Sequence, residues 1–167
     1  MECVMMKRGF ALALLACGLS CLPALAGARN EATVIMPDDE RVKALFTEWG
    51  FSDAVVTGDT VYLSGVVAAL RPGETDLKLA YTRAMDRLGI ILGRAGVTWD
   101  DVVEMTTYHT DIPGQMPAFK EVKHLYVKAP FPAWTAIGIT RLVPDNGITE
   151  IKLVAKLPKK KDGSGTP

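Results

Sequence analysis

Two side chains frame the chemistry open to this chain: Glu150, inside Ile148-Thr149-Glu150-Ile151, and Trp134, inside Phe131-Pro132-Ala133-Trp134. A carboxylate can orient a water or take a proton, whereas an indole offers a flat apolar wall and one neutral N–H donor. Val, Ile and Thr dominate the stretch from Phe131 to Leu157, around a Pro144-Asp145-Asn146-Gly147 cluster of turn residues. It reads as a β-hairpin that brings Glu150 opposite Trp134. Alternation along the second strand groups Glu150 with Ile148, Lys152, Val154 and Lys156, and leaves Ile151, Leu153, Ala155 and Leu157 as a uniformly apolar face. On that pattern alone the simpler reading of Glu150 is a solvent-facing glutamate paired with Lys152. The same count along the first strand puts Trp134, Ala136, Gly138, Thr140 and Leu142 on one side and Arg141 on the other.

Other reactive residue types form no constellation. His109 shares parity with Val103, Met105 and Thr107, and His124 belongs to a different element with no Cys or His at ligand spacing, so no metal site is expected. Asp100 and Asp101 precede a strand and read as turn residues. There is no phosphate-cradling glycine loop, nucleophile elbow or dinucleotide fingerprint, and no cofactor is expected.

The elements that must position these residues follow from periodicity. Pro37 to Trp49 is acidic at its start and then spaces Val42, Leu45, Phe46 and Trp49 as a short amphipathic helix. Ala54 to Thr57 and Thr60 to Val67 are strand-like and joined by Gly58-Asp59. Leu77, Ala80, Tyr81, Ala84, Leu88, Ile91, Leu92 and Ala95 mark a helix between the capping candidates Glu74-Thr75-Asp76 and Gly96. Val102 to Thr110 is a strand, and Pro117 to Val127 a second helix with Phe119, Val122 and Tyr126 as its stripe. The order ββ-α-β-α-ββ predicts a two-layer α+β domain, with a mainly antiparallel sheet and two helices on one face.

Composition narrows the partners. The formal charge is zero, and basic residues gather only at Lys156 and Lys159 to Lys161, which read as a solvated tail and not as a groove for nucleic acid. Residues 1–26 have the form of a secretory signal peptide, with Lys7-Arg8, an apolar run from Phe10 to Leu22, and Ala24-Leu25-Ala26 before a mature start at Gly27. A periplasmic or secreted protein without a permanent membrane anchor is expected, because the apolar run is shorter than a membrane span. Leu14-Leu15-Ala16-Cys17 loosely resembles a lipoprotein processing site, but the apolar run before it is short. Cys3, Cys17 and Cys21 all fall within the signal, which leaves a mature chain with neither disulfides nor thiol chemistry. The expected organisation is a lead-in with a short helix at 27–50, one domain at 51–158 and a flexible basic tail at 159–167.

The hairpin residues, with Tyr62-Leu63-Ser64-Gly65, Gly96-Val97-Thr98-Trp99-Asp100-Asp101-Val102-Val103 and Thr110-Asp111, resemble the Rid family (RidA/YjgF-like, reactive intermediate deaminases) from about Phe51 to Leu157. The resemblance implies a homotrimer of chorismate-mutase-like subunits with a small-metabolite pocket at each subunit interface. It also implies hydrolysis of 2-imino acids or their enamine tautomers to 2-keto acids and ammonia, with Ser64 in the pocket and Glu150 positioning the water.

Four pocket positions depart from that pattern. Trp134 stands where the family's imine deaminases carry an arginine that binds the substrate carboxylate through two parallel hydrogen bonds. Phe51 stands where tyrosine is frequent, Lys123 where asparagine is, and Ala136 where cysteine is. Loss of the arginine should cost several kcal/mol of carboxylate binding, so 2-imino acids are expected to bind poorly. The expected function is therefore small-metabolite binding without efficient 2-imino acid deamination. Two alternatives stand beside it: hydrolysis of a different imine or enamine by Glu150, and the RNA cleavage ascribed to some relatives, which the charge distribution and export signal do not favour. Lys123 reads either as a replacement charge in the pocket or as an exposed helix lysine, and Trp134 as a stacking wall or an interface anchor.

Overall fold

The computed structural model describes residues 27–159. The expected signal peptide at 1–26 with its cysteines, and the tail from residue 160 onward, lie outside the described residues. The elements run β1 (Thr33–Ile35), α1 (Glu40–Trp49), β2 (Ala54–Thr57), β3 (Thr60–Leu63), β4 (Val66–Ala69), α2 (Leu77–Arg94), β5 (Val102–His109), α3 (Ile112–Tyr126), β6 (Ala133–Gly138) and β7 (Gly147–Lys156). They build a seven-stranded sheet in the order β1-β2-β3-β7-β5-β6, with β4 also paired to β7. All pairings are antiparallel except β5 with β6. This is a mixed α+β fold, and among the described residues no helix is long and apolar enough to cross a membrane.

Helix α2 begins where the Asp76 side chain accepts from Lys78 N at 2.8 Å. Its apolar stripe, from Ala80 through Tyr81, Met85 and Leu88 to Leu92, is buried. That stripe and Phe119 and Val122 of α3 pack on the sheet face formed by Leu63, Met105, Ile151, Leu153 and Ala155, as the predicted alternation of β7 requires. Helix α3 starts earlier than its periodicity suggests, at Ile112, because Asp111 caps Gly114 N at 3.2 Å and Pro113 falls in the first turn, where no N–H is needed. Helix α1 forms as predicted, capped by Asp39 and closed by Gly50 at φ 73°, but it buries none of its residues.

Two departures from the predicted topology bear on function. The run Thr60 to Val67 is not one strand: it breaks at Ser64-Gly65, so that β3 pairs with the end of β7 (Thr60↔Lys156) and β4 with its start (Val67↔Glu150). More consequentially, β6 and β7 do not form a hairpin, because β5 lies between them, parallel to β6 and antiparallel to β7. Turn residues at 144–147 start β7, but the whole link 139–146 separates the strands, and local turn chemistry does not choose which strand a β-strand pairs with.

Asp53, at the entrance to β2, ties the lead-in to this frame. Its carboxylate, 3 % exposed, accepts from Arg87 Nη2 at 2.9 Å on both oxygens and from Arg94 Nη2 at 2.6 Å, while Arg94 Nη1 donates to Met36 O at 2.5 Å. Its backbone N–H donates to Ile35 O, and its carbonyl accepts from Ser64 N. One residue thus joins β1, α2 and the Ser64 turn.

Candidate functional site

The break between β3 and β4 opens the sheet beside Glu150. Gly65 leaves room there for the carboxylate, since a Cβ at that position would overlap the Glu150 side chain. Tyr108 faces Glu150 directly across the β5–β7 ladder. Tyr62, Ser64, Gly65, Tyr108, Arg141 and Glu150 line one concavity of about 680 Å³ on the face opposite the helices. Ser64 is held firmly, its hydroxyl donating to Ser52 O at 2.6 Å and its N–H to Asp53 O at 2.9 Å, which leaves its oxygen lone pairs as acceptors for a ligand.

Arg141 lines the same concavity as Glu150, on the side opposite Trp134 as the alternation predicts. Strand β6 ends at Gly138, and the loop beyond it keeps Ile139 and Arg141 on the open sheet face. Its Nη2 donates to Asp145 Oδ1 at 2.8 Å in an exposed pair. Tyr108 and Tyr62 are members of this site that residue types did not single out, and Arg141 joins them from the side opposite Trp134. A signal was present for Tyr108, which alternates with Thr107 and His109 on a strand whose other face is core.

Trp134 is not opposite Glu150 within the chain. In the parallel register Trp134 aligns with Met105 and Ala136 with Thr107, so both occupy the helix-side face, whereas Glu150 aligns with Tyr108 on the open face. The indole Nε1 donates to Thr107 Oγ1 at 3.0 Å, and its ring packs 5.7 Å from that of Phe119. Lys123 is 7 % exposed, which removes the exposed-helix reading, with Nζ 4.5 Å from the Trp134 ring centroid and 5.7 Å from that of Phe131. Phe51 stacks on Phe46 at 4.0 Å and lines a separate hollow of about 220 Å³ on the far side of Ser64-Gly65. The sequence-derived residues therefore fall into two groups: Ser64, Glu150 and, next to them, Phe51; and Trp134, Lys123 and Ala136.

A buried hydrogen-bond chain supports the second group. Beyond Thr107 it continues to His109 Nε2 at 2.9 Å, from His109 Nδ1 to Thr149 Oγ1 at 3.0 Å, and from Thr149 to Tyr81 OH at 3.0 Å and Gln115 Oε1 at 3.3 Å. A neutral imidazole carrying its proton on Nδ1 satisfies every member: Thr107 accepts from Trp134 and donates to His109, and Thr149 accepts from His109 and donates to Gln115. A second imidazole proton would force the Thr107 hydroxyl onto its longer contact with Thr135 O at 3.4 Å. His109 is thus a satisfied strand histidine, and among the described residues no group of three or more His, Cys, Asp or Glu side chains is placed to hold a metal ion.

Burial pushes the His109 imidazole below its ordinary value of 6.5, against a smaller upward pull from Gln115. The folded protein then resists a proton that the unfolded chain accepts. The contribution to stability is complete above about pH 6.5 and is lost progressively below it. The thermal midpoint is expected to fall on acidification through that range, and the fall should be shallower in His109→Gln. Equal slopes in the two proteins would assign the acid loss elsewhere.

A family model described as Endoribonuclease L-PSP matches residues 42–157. The RutC family protein YjgH of Escherichia coli is 33% identical over 132 residues, which are 77% of this chain and 98% of that protein. A solved structure of YjgH superimposes with a TM-score of 0.66, covering 78% of this chain and 99% of that one. A 2-iminobutanoate/2-iminopropanoate deaminase of Dermatophagoides farinae is 28% identical over 108 residues, 62% of this chain and 83% of its own.

Proposed function

The chain belongs to the RidA/YjgF family, whose model spans residues 42–157, and from that premise we propose that it binds a small metabolite at an interface between copies and turns over 2-imino acids poorly. In this reading Glu150 with Ser64 from one copy faces Trp134 with Lys123 and Ala136 from another, in a homotrimer. The separation of the two groups onto opposite sheet faces supports it, because one chain cannot bring them together. Strand β6, which carries Trp134, is exposed along its whole length.

One observation carries the reading: the only donor of Trp134 is already committed to Thr107 at 3.0 Å, in the position where the family's imine deaminases present an arginine fork. A ligand carboxylate meeting this wall finds neither the charge nor the paired donors that bind it. Enzymatically generated 2-iminopropanoate should therefore release ammonia no faster with the protein than without it. Rapid release that disappears in Glu150→Ala would overturn the reading.

A second reading is favoured by the seating of Glu150 against Gly65 in a concavity with two tyrosines. Glu150 there positions water for hydrolysis of an imine or enamine without a carboxylate. RNA cleavage gains no such support from the charge distribution.

Restoring the arginine alone is expected to fail. Trp134→Arg would place a guanidinium beside the buried Lys123 ammonium, and like charges at that distance repel. The double variant Trp134→Arg/Lys123→Asn removes the conflict and should gain 2-iminopropanoate hydrolysis over either single variant by about tenfold or more, as a repaired charge-assisted bond warrants. Steady-state ammonia release from the three variants decides it.

Export belongs to the same reading and rests on Lys7-Arg8, the apolar run and Ala24-Leu25-Ala26. N-terminal sequencing of the cellular protein should find Gly27, and a start at Met1 would refute it.

A further inference from the structure

Lys123 has no function in the hydrolysis just described, yet its surroundings are unusual for a lysine. It lies on the inner side of α3, which buries it to 7 % exposure, and among the described residues no carboxylate comes within 4.0 Å of its Nζ. Its neighbours are ring faces, those of Trp134 and Phe131. An ammonium removed from water without a counter-ion is costly, and a neighbouring ring face returns only part of that cost. Desolvation accordingly lowers the ammonium from its ordinary 10.5, which raises the share of free amine. The two ring-bearing residues beside the amine themselves reach solvent, Trp134 being 37 % exposed and Phe131 63 %.

We infer that Lys123 is a carbonyl-capturing amine, which forms a Schiff base with small aldehydes or ketones that enter between Trp134 and Phe131. The amine lone pair adds to the carbonyl carbon to form the C–N bond. The carbonyl oxygen, after taking two protons, leaves as water, and a Lys123 C=N bond remains. With an imine as the entering molecule the same attack expels ammonia, and subsequent addition of water returns the carbonyl compound and the free lysine. Both sequences balance without an oxidant or reductant. The inference deepens the reading given above by naming the ligand class, carbonyl compounds and the imines derived from them. It can fail while that reading stands.

The test is reductive trapping of the full-length mature protein with benzaldehyde, and separately with pyruvate, in the presence of cyanoborohydride, followed by peptide mapping. Adduct at Lys123 is expected to form about tenfold faster or more than at the exposed Lys43, Lys78 or Lys156, because a larger share of it is free amine. Lys123→Met, which keeps the apolar stem, should lose that adduct and retain the wild-type thermal midpoint. Lys123→Arg should lose it as well while preserving the charge. Adduct spread over the surface lysines, or none at all, overturns the inference. Reversible quenching of tryptophan fluorescence by either compound, undiminished in Lys123→Met, would overturn it too, and would leave the ligand reading in place. Loss of all binding even in the wild type would count against both.

Discussion

Asp53→Ala is expected to cost about 3–5 kcal/mol of folding stability, the scale for removing one member of a buried charge cluster and stranding its partners. The carboxylate is the only acidic group engaging Arg87 and Arg94 at hydrogen-bond distance among the described residues, and the inner partner, Arg94, already has a buried Nε without an acceptor. Without Asp53 the Arg94 guanidinium keeps Met36 O and a distant, exposed Asp38 at 3.7 Å. Arg87 reaches solvent and can be rehydrated, which places the expected loss toward the lower end of the range. Thermal unfolding should show a midpoint lowered by about 10 °C, given the few degrees per kcal/mol typical of a domain of this size. Asp53→Asn keeps the volume and backbone contacts but not the charge, and should recover only a minor part. If both variants unfold at the wild-type temperature, the cluster is a surface decoration and does not clamp the lead-in.

The site should feel the same substitution. Asp53 O accepts from Ser64 N, and Ser64 opens the turn that separates β3 from β4 beside Glu150. Loosening at Asp53 therefore reaches the concavity beside Glu150 through one backbone hydrogen bond.

Glu150→Gln is the substitution with the largest expected effect on chemistry. The amide fills the same space over Gly65, opposite Tyr108 in the ladder, but it cannot accept a proton from water. On imines lacking a carboxylate, generated from arylalkyl amines by an amine oxidase, the wild-type protein should accelerate ammonia release, and Glu150→Gln should reduce that acceleration by about 10²–10⁴, the usual weight of a general base. Ligand binding, followed by tryptophan quenching, should change little. An unchanged rate in Glu150→Gln would remove the carboxylate from the chemistry and leave the pocket as a binding site alone.

Strand alternation in β7 and the helical stripes of α2 and α3 were readable from residue order, because each reports a short-range period that burial on one side imposes. The partner of each strand was not readable: β5 inserts between β6 and β7, and nothing in the turn at 144–147 distinguishes a hairpin from a longer crossing. Arg141 lies opposite Trp134 as the count gave it, but alternation within one strand does not say which face the Glu150 of another strand takes. For Lys123 the residue type alone left two readings open. A helix lysine is ordinarily exposed, but α3 presents this one to the aromatic side chains at the start of β6, a contact between elements that no window of sequence contains.

Residue order by itself determined the two-layer α+β class, the family, and the chemical inventory of a retained glutamate and serine without the arginine, for these depend on local periodicity and on side-chain identity. Only the tertiary structure decided how that inventory is divided. A one-residue difference in strand parity, together with the insertion of β5, sends Glu150 and Trp134 to opposite faces of a single sheet. The residues that looked like a facing pair consequently form two separate groups, each with its own supports, on opposite faces of the sheet.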